Sequence, residues 1–196
     1  MARRVGVFGG AFDPPHVAHV ALARAAVDQL ALDELRILPT GDAWHKSRPL
    51  SPAPHRLAMA RLAFAGLPRV VIDDRELRRP GPTYTVDTLR ELQDEQPGAQ
   101  LFLVMGEDQA AALTRWHEWE TVVSLALIAV AGRAATPQEA RPALPPQARS
   151  RPLMLPAMPA SATAIRSLVA SGRPIADLVP PGVASYIDRH SLYQRP

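Results

Sequence analysis

At 196 residues, 47% of them hydrophobic, the chain is long enough to bury a core and of a size for one domain or one with a small appendage. It has no cysteine, which excludes disulfides and thiolate metal sites and fits a reducing compartment. Its 22 Lys and Arg against 19 Asp and Glu leave a net charge of +3, enough to attract phosphorylated small molecules mildly and too little for a nucleic-acid footprint.

The first residues, MARR, lead straight into an apolar run with no signal segment, and no later run approaches the roughly 18 apolar residues of a membrane span, so the expectation is a cytoplasmic protein without a membrane partner. Val5, Val7 and Phe8 read as a short buried strand. It breaks at Gly9-Gly10, where missing Cβ atoms let the backbone turn sharply and approach a ligand. Pro14-Pro15 closes the turn, and because proline is tolerated in a helix's first turn, a helix is expected from there to about Leu30. His16 and His19 then sit i, i+3 on one face at its amino end, where unpaired N–H groups and about half a positive charge suit an anion, typically phosphate. A zinc site is incomplete without a third ligand, and plain core histidines on an alanine-rich helix are the other alternative. An imidazolium at that pole is disfavoured without an anion beside it, so both rings are expected to be neutral in the empty protein.

Leu35 to Pro39 reads as a second strand, followed over residues 40–54 by a polar, proline-rich loop of a length that is usually functional or disordered. His55 to Leu67 has helical periodicity, Val70 to Asp73 reads as a third strand, and Arg75 to Pro82 reads as a turn. Thr83 to Gln96 is a predicted helix with threonine as its N-cap. Gln100 to Met105 is an apolar strand ending in Gly106-Glu107-Asp108, Leu113 to Val123 is predicted helix, and Leu125 to Ala131 is a fifth strand. Uninterrupted strands alternating with helices predict an α/β fold: a doubly wound parallel sheet covered on both faces, with ligands at the strands' carboxyl ends.

Residues 133–152 are rich in proline and arginine and lack periodicity, so they read as a surface connection. The carboxyl-terminal part, 153–196, holds a short strand at Leu153 to Leu155, a helix over 159–172 stopped by Gly172, and a closing helix from Pro181 to Arg189. The helix over 159–172 carries a second cluster. Ser161 and Thr163 can simply cap its free N–H groups. Arg166, however, leans back toward the positive pole, where a cation is unfavourable by some tenths of a kcal/mol to about 1 unless an anion occupies it. With phosphate there, the three supply two hydroxyls and a planar fork. Trp116 and Trp119, spaced i, i+3, are the kind of pair that usually belongs to a core. No G-x-G-x-x-G follows the first strand, which argues against a dehydrogenase.

GGAFDPPHVAH, residues 9–19, resembles the glycine-pair and HxGH signature of the nucleotidyltransferase superfamily, and its FDP spelling is closest to the bacterial nicotinate-nucleotide adenylyltransferases. Ala18 stands where that family usually has glycine. SATAIR, residues 161–166, resembles the family's SxTxIR motif, which holds the β and γ phosphates of ATP. The resemblance covers nearly the whole chain and implies a Rossmann-like nucleotidyltransferase domain over 1–196. The implied reaction joins the AMP part of ATP to nicotinate mononucleotide, giving deamido-NAD and pyrophosphate.

By the same resemblance, His16 and His19 are the catalytic residues. Gly9, Gly10, Ala11, Phe12, Gly106, Asp108, Ser161, Thr163, Ile165 and Arg166 bind ATP and its phosphates. Lys46 joins them, with a solvated loop lysine as the alternative. Thr85 contacts the nicotinate nucleotide unless it is a plain helix cap, and Trp116 flanks the pyridine ring while Trp119 stays in the core. Magnesium accompanies ATP, held by phosphate oxygens and water, with no protein ligand assigned. Rival readings are a sister adenylyltransferase for nicotinamide mononucleotide or phosphopantetheine, and a nucleotide-binding regulator without activity. A homo-oligomer stays open.

Overall fold

The computed structural model describes residues 2–41, 49–132, 144–156 and 158–194. Six strands form one sheet: β1 (Arg4–Gly10), β2 (Glu34–Pro39), β3 (Val70–Ile72), β4 (Gln100–Gly106), β5 (Ala126–Gly132) and β6 (Ser150–Met154). Their order is β3-β2-β1-β4-β5-β6, and every neighbouring pair is parallel. The helices are α1 (Val17–Gln29), α2 (Ala53–Phe64), α3 (Arg75–Arg78), α4 (Thr85–Glu95), α5 (Glu107–Ala111), α6 (Trp119–Leu125), α7 (Ala162–Ala170) and α8 (Pro181–Arg189), with a 3₁₀ turn at Leu113–Arg115. This is the doubly wound arrangement expected from the strand and helix pattern. The chain reverses its direction of travel across the sheet between β1 and β4, and in such sheets ligands bind in the crevice beyond the carboxyl ends of those strands.

Side-chain alternation along each strand divides the core in two. Val5 and Val7 of β1 join Leu101, Leu103 and Met105 of β4, and pack with Val86 and Leu89 of α4 and Val122 of α6. Phe8, Phe102 and Val104 join the other cluster, with Ala23 and Val27 of α1, Met59 and Phe64 of α2, Ile165 of α7 and Val183 of α8. Each face of the sheet is thus covered by its own helices, which is why these strands are apolar at consecutive positions.

Several boundaries differ from those predicted. Gly9 and Gly10 do not make the turn; they continue β1 and pair with Leu38 and Pro39, and the left-handed residue is Phe12, at φ 48°. The first helix starts at Val17, past both prolines. α2 begins two residues before His55 and ends at Phe64, just ahead of Gly66 at φ 78°. The turn at 75–82 contains α3. Thr83 is not a cap: Tyr84 holds that position, and the Thr83 hydroxyl oxygen is buried without a hydrogen-bond partner. The helix predicted over 113–123 is broken around Trp116 to Glu118, where Glu118 adopts φ 47°. β6 takes residues 150–152 out of the predicted connection; its Pro152 is tolerated because β6 is an edge strand. The closing helix lies as predicted.

An ion-pair network ties the β2–β3 edge to the helices that follow it. Arg36 meets Asp73 at 2.9 Å, Arg75 meets the same carboxylate at 2.8 Å, and Arg75 reaches Glu95 of α4 at 2.9 Å. Partly buried and shared among several groups, such a network holds α4 in place better than isolated surface pairs do. At the end of β2 the backbone passes so close to α3 that a Cβ on Gly41 would collide with the Glu76 carbonyl and stand 2.7 Å from the Thr83 hydroxyl. Gly41→Ala is therefore expected to lower the unfolding free energy by about 1–3 kcal/mol, read as an earlier urea midpoint. A wild-type midpoint would contradict this tight contact.

Candidate active site

The site is built on the loop between β1 and α1. Gly10 is glycine because a Cβ there would stand 3.1 Å from the Phe12 ring, whereas a Cβ on Gly9 would meet nothing nearer than a carbonyl at 4.0 Å. Gly10 thus makes room for Phe12, and Gly9 keeps its surface open for a ligand. With φ 48° at its backbone, Phe12 is only 2% exposed and packs edge-on against Phe8, Phe64 and His19, at centroid distances of 5.6, 5.6 and 5.2 Å.

His16 is the N-cap of α1 and not a helical residue, so the pair is a cap and a first-turn position; the expected proximity holds. The rings stack at 3.8 Å with 27° between their planes. The His16 backbone N–H donates to Nδ1 of His19 at 3.2 Å, so a neutral His19 carries its proton on Nε2. Nδ1 of His16 is buried and has no hydrogen-bond partner. Burial lowers the His16 pKa to about 4; burial and the neighbouring His16 hold His19 well below its ordinary value. At neutral pH the pair is uncharged, as expected of the empty protein.

The second cluster reaches the same place from the far end of the sequence. Ser161 caps α7, its Oγ accepting the Ala164 N–H at 3.2 Å. Arg166 donates through Nη2 to the Thr163 hydroxyl at 3.1 Å and through Nη1 to the carbonyl of Asp13 at 2.7 Å. That bond joins residues 153 positions apart. Both clusters open on one cleft of about 1210 Å³. Gly9, Gly10, Ala11, Phe12, His16, His19, Thr163 and Arg166 line it, as do Gly106 and Asp108 at the end of β4 and Thr85 and Trp116. Ala18 lines it too.

Two of the predicted positions are not on the cleft wall. Ile165 is fully buried in the core and its N–H is bound to the Ser161 carbonyl at 3.0 Å, so its side chain anchors α7. Ser161 lies outside the cleft wall as the helix cap. Lys46 falls outside the described residues. Trp119 packs against the core with Trp116, and only Trp116 also borders the cleft.

The structure adds residues the sequence reading passed over. Asp13 is 2% exposed; its Oδ1 accepts from the Tyr193 hydroxyl at 2.6 Å and its Oδ2 from the Ser51 N–H at 3.1 Å. Arg56, also buried, donates to the carbonyls of Ala11 and Ser51, both at 3.0 Å. It stands on the apolar stripe of α2, in line with Met59, Ala60 and Ala63, and a cation on such a stripe is a readable sign of a buried partner. Glu76 borders the cleft, accepts from Thr88 at 2.9 Å, and burial raises its pKa to about 7. Tyr84 and His117 pack ring to ring at 4.2 Å on the same wall.

Residues 7–168 match the Cytidylyltransferase-like family. A "Probable nicotinate-nucleotide adenylyltransferase" of Albidiferax ferrireducens is 58% identical over 98% of both chains. A protein of the same name from Methylibium petroleiphilum is 45% identical over 99% of this chain and 94% of its own. Among solved structures, a Plasmodium falciparum nicotinic acid mononucleotide adenylyltransferase complexed with APC superposes with a TM-score of 0.78 over 97% of each chain, at 17% identity. At that identity the likeness is one of fold.

The depressed His16 pKa gives a signed expectation. A buried neutral histidine contributes stability that is present above its ordinary value of 6.5 and is lost as pH falls toward about 4. Glu76 runs the other way, its contribution present below 4.5 and lost as pH rises toward 7. Comparing wild type with His16→Gln isolates the first effect. Between pH 7 and pH 4 the wild-type unfolding free energy is expected to fall by on the order of 3 kcal/mol more than that of the variant. Parallel pH profiles in urea would contradict a neutral, buried His16.

Proposed function

The chain belongs to the nicotinate-nucleotide adenylyltransferases of the Cytidylyltransferase-like family, and from that premise we propose how its residues carry the reaction. The enzyme transfers AMP from ATP to nicotinate mononucleotide, forming deamido-NAD and pyrophosphate for NAD biosynthesis. A phosphate oxygen of the mononucleotide attacks the α phosphorus of ATP in line as pyrophosphate leaves. No covalent intermediate with the protein is needed, so the rate comes from holding two phosphates in line and neutralising charge on non-bridging oxygens.

His19 donates from Nε2 to an α-phosphate oxygen, and His16 donates beside it. Neutral rings suit this role, because they enter the empty cleft without charge repulsion and gain proton affinity once an anion arrives. Thr163 and Arg166 hold the departing pyrophosphate, joined by Lys46 from its loop, while Ser161 caps the helix that carries them. Gly9 and its neighbours let the triphosphate lie against bare backbone. Gly106 and Asp108 meet the adenosine side; Thr85 and Trp116 receive the nicotinate nucleotide. The observation that carries the reading is the Arg166 bond to Asp13, which brings both phosphate clusters to one cleft.

Among the described residues no group of three or more His, Asp or Glu side chains could hold a metal ion. The magnesium that ATP brings is assigned to phosphate oxygens and water, the ligands a nucleotide itself supplies. Residues 1–196 work as one domain on this reading, in the cytoplasm; among the described residues no helix is long and apolar enough to cross a membrane.

His19→Ala is expected to reduce turnover a hundredfold or more, the scale of losing one transition-state donor, about 2.7–4 kcal/mol, with a smaller change in ATP affinity. Wild-type turnover would remove His19 from the mechanism. Pyrophosphate release should be fastest with nicotinate mononucleotide when that acceptor, nicotinamide mononucleotide and phosphopantetheine are compared at equal concentration. A faster rate with either rival would reassign the acceptor.

A further inference from the structure

The last described turn of the chain ends at the phosphate site. Beyond α8 the backbone takes left-handed values at Ser191, φ 50°, and at Tyr193, φ 64°. Non-glycine residues hold that conformation only where surrounding contacts over-determine it. For Tyr193 the contact is its hydroxyl, which donates to Oδ1 of Asp13 at 2.6 Å across 180 residues of sequence and stands 3.9 Å from the sulfur of Met59. Burial and the adjacent Asp13 push the phenol well above its ordinary pKa, so the hydroxyl stays a donor.

Asp13 distributes this constraint. Its second carboxylate oxygen is held by the Ser51 N–H at 3.1 Å, and its backbone carbonyl receives Nη1 of Arg166 at 2.7 Å. A carboxylate so thoroughly desolvated keeps its position through short, charge-assisted bonds. The carbonyl of the same residue is fixed with it, and that carbonyl aims the guanidinium.

We propose that Tyr193 is a positioning residue for the phosphate grip: by holding the Asp13 carboxylate it sets the carbonyl that orients Arg166 in the cleft. The proposal rests on the reading of Arg166 as a holder of the departing pyrophosphate. It gives the carboxyl-terminal turn a part in catalysis without contact to substrate.

The test is a kinetic cycle on the full chain with Tyr193→Phe, Arg166→Ala and the double variant, varying ATP and nicotinate mononucleotide separately. Tyr193→Phe is expected to keep the wild-type melting temperature within a few degrees and to lower kcat/KM for ATP about tenfold, leaving the KM for nicotinate mononucleotide unchanged. On the Arg166→Ala background, loss of the hydroxyl should change nothing further, because the two act in series. Unaltered ATP kinetics in Tyr193→Phe, or the same tenfold loss on both backgrounds, would overturn the proposal. So would an unfolded Tyr193→Phe, since the hydroxyl would then serve the fold. Unaltered ATP kinetics in Arg166→Ala would remove the reading of Arg166 and this proposal with it, whereas a loss confined to Arg166→Ala removes the role of Tyr193 alone.

Discussion

Everything at the site depends on one hydrogen bond, from the guanidinium of Arg166 to the carbonyl of Asp13. It joins the amino end of α7 to the loop that leaves the central strand, and so brings a permanent cation to the cleft that two uncharged imidazoles also line. The division of charge follows from burial. Arginine keeps its proton in almost any setting, whereas a histidine sealed against Phe8 and Phe12 gives its proton up. An anion entering the cleft between these clusters therefore meets the fixed positive charge of Arg166 and two donors that can accept more charge only as the anion supplies it.

The surrounding fold keeps that meeting point rigid. Strand order reverses beside β1, so β1 and β4 part at their carboxyl ends and leave the crevice in which Gly9 and Gly106 lie. Phe12 fills the space under the loop and Arg56 holds the carbonyls of Ala11 and Ser51 from behind. The Arg36–Asp73–Arg75–Glu95 network fixes α4, and with it Thr85 at the cleft. Glu118, in its left-handed conformation, bonds to Arg90 of α4 at 2.6 Å and so ties the segment bearing Trp116 to the same helix. Catalysis by positioning demands this kind of support, because small displacements of a donor are costly in rate.

Much of this was legible in the sequence because the signals were local. Apolar runs at consecutive positions gave the buried strands, and the glycine pair and the two histidines marked one wall of the cleft. Arg166 at a positive helix pole was out of place without an anion, and the structure puts it on the cleft wall. The readings that failed required knowledge of what packs against what. Gly10 reads as a turn residue, yet it is glycine to admit the Phe12 ring. The break at Trp116 to Glu118 leaves no glycine or proline to announce it, because Glu118 itself takes the left-handed conformation. Tyr193 carries no local mark at all, since its partner lies at the opposite end of the chain.

The central claim is that segments remote in sequence grip one triphosphate together. Its most direct test is an NMR titration with a non-hydrolysable ATP analogue, following the His19 ring and the Arg166 Nε signals in the same sample. Both should shift along one binding curve with a single Kd. A ring signal that moves while the guanidinium stays still, or two curves with different midpoints, would show that the two ends of the chain do not share the ligand.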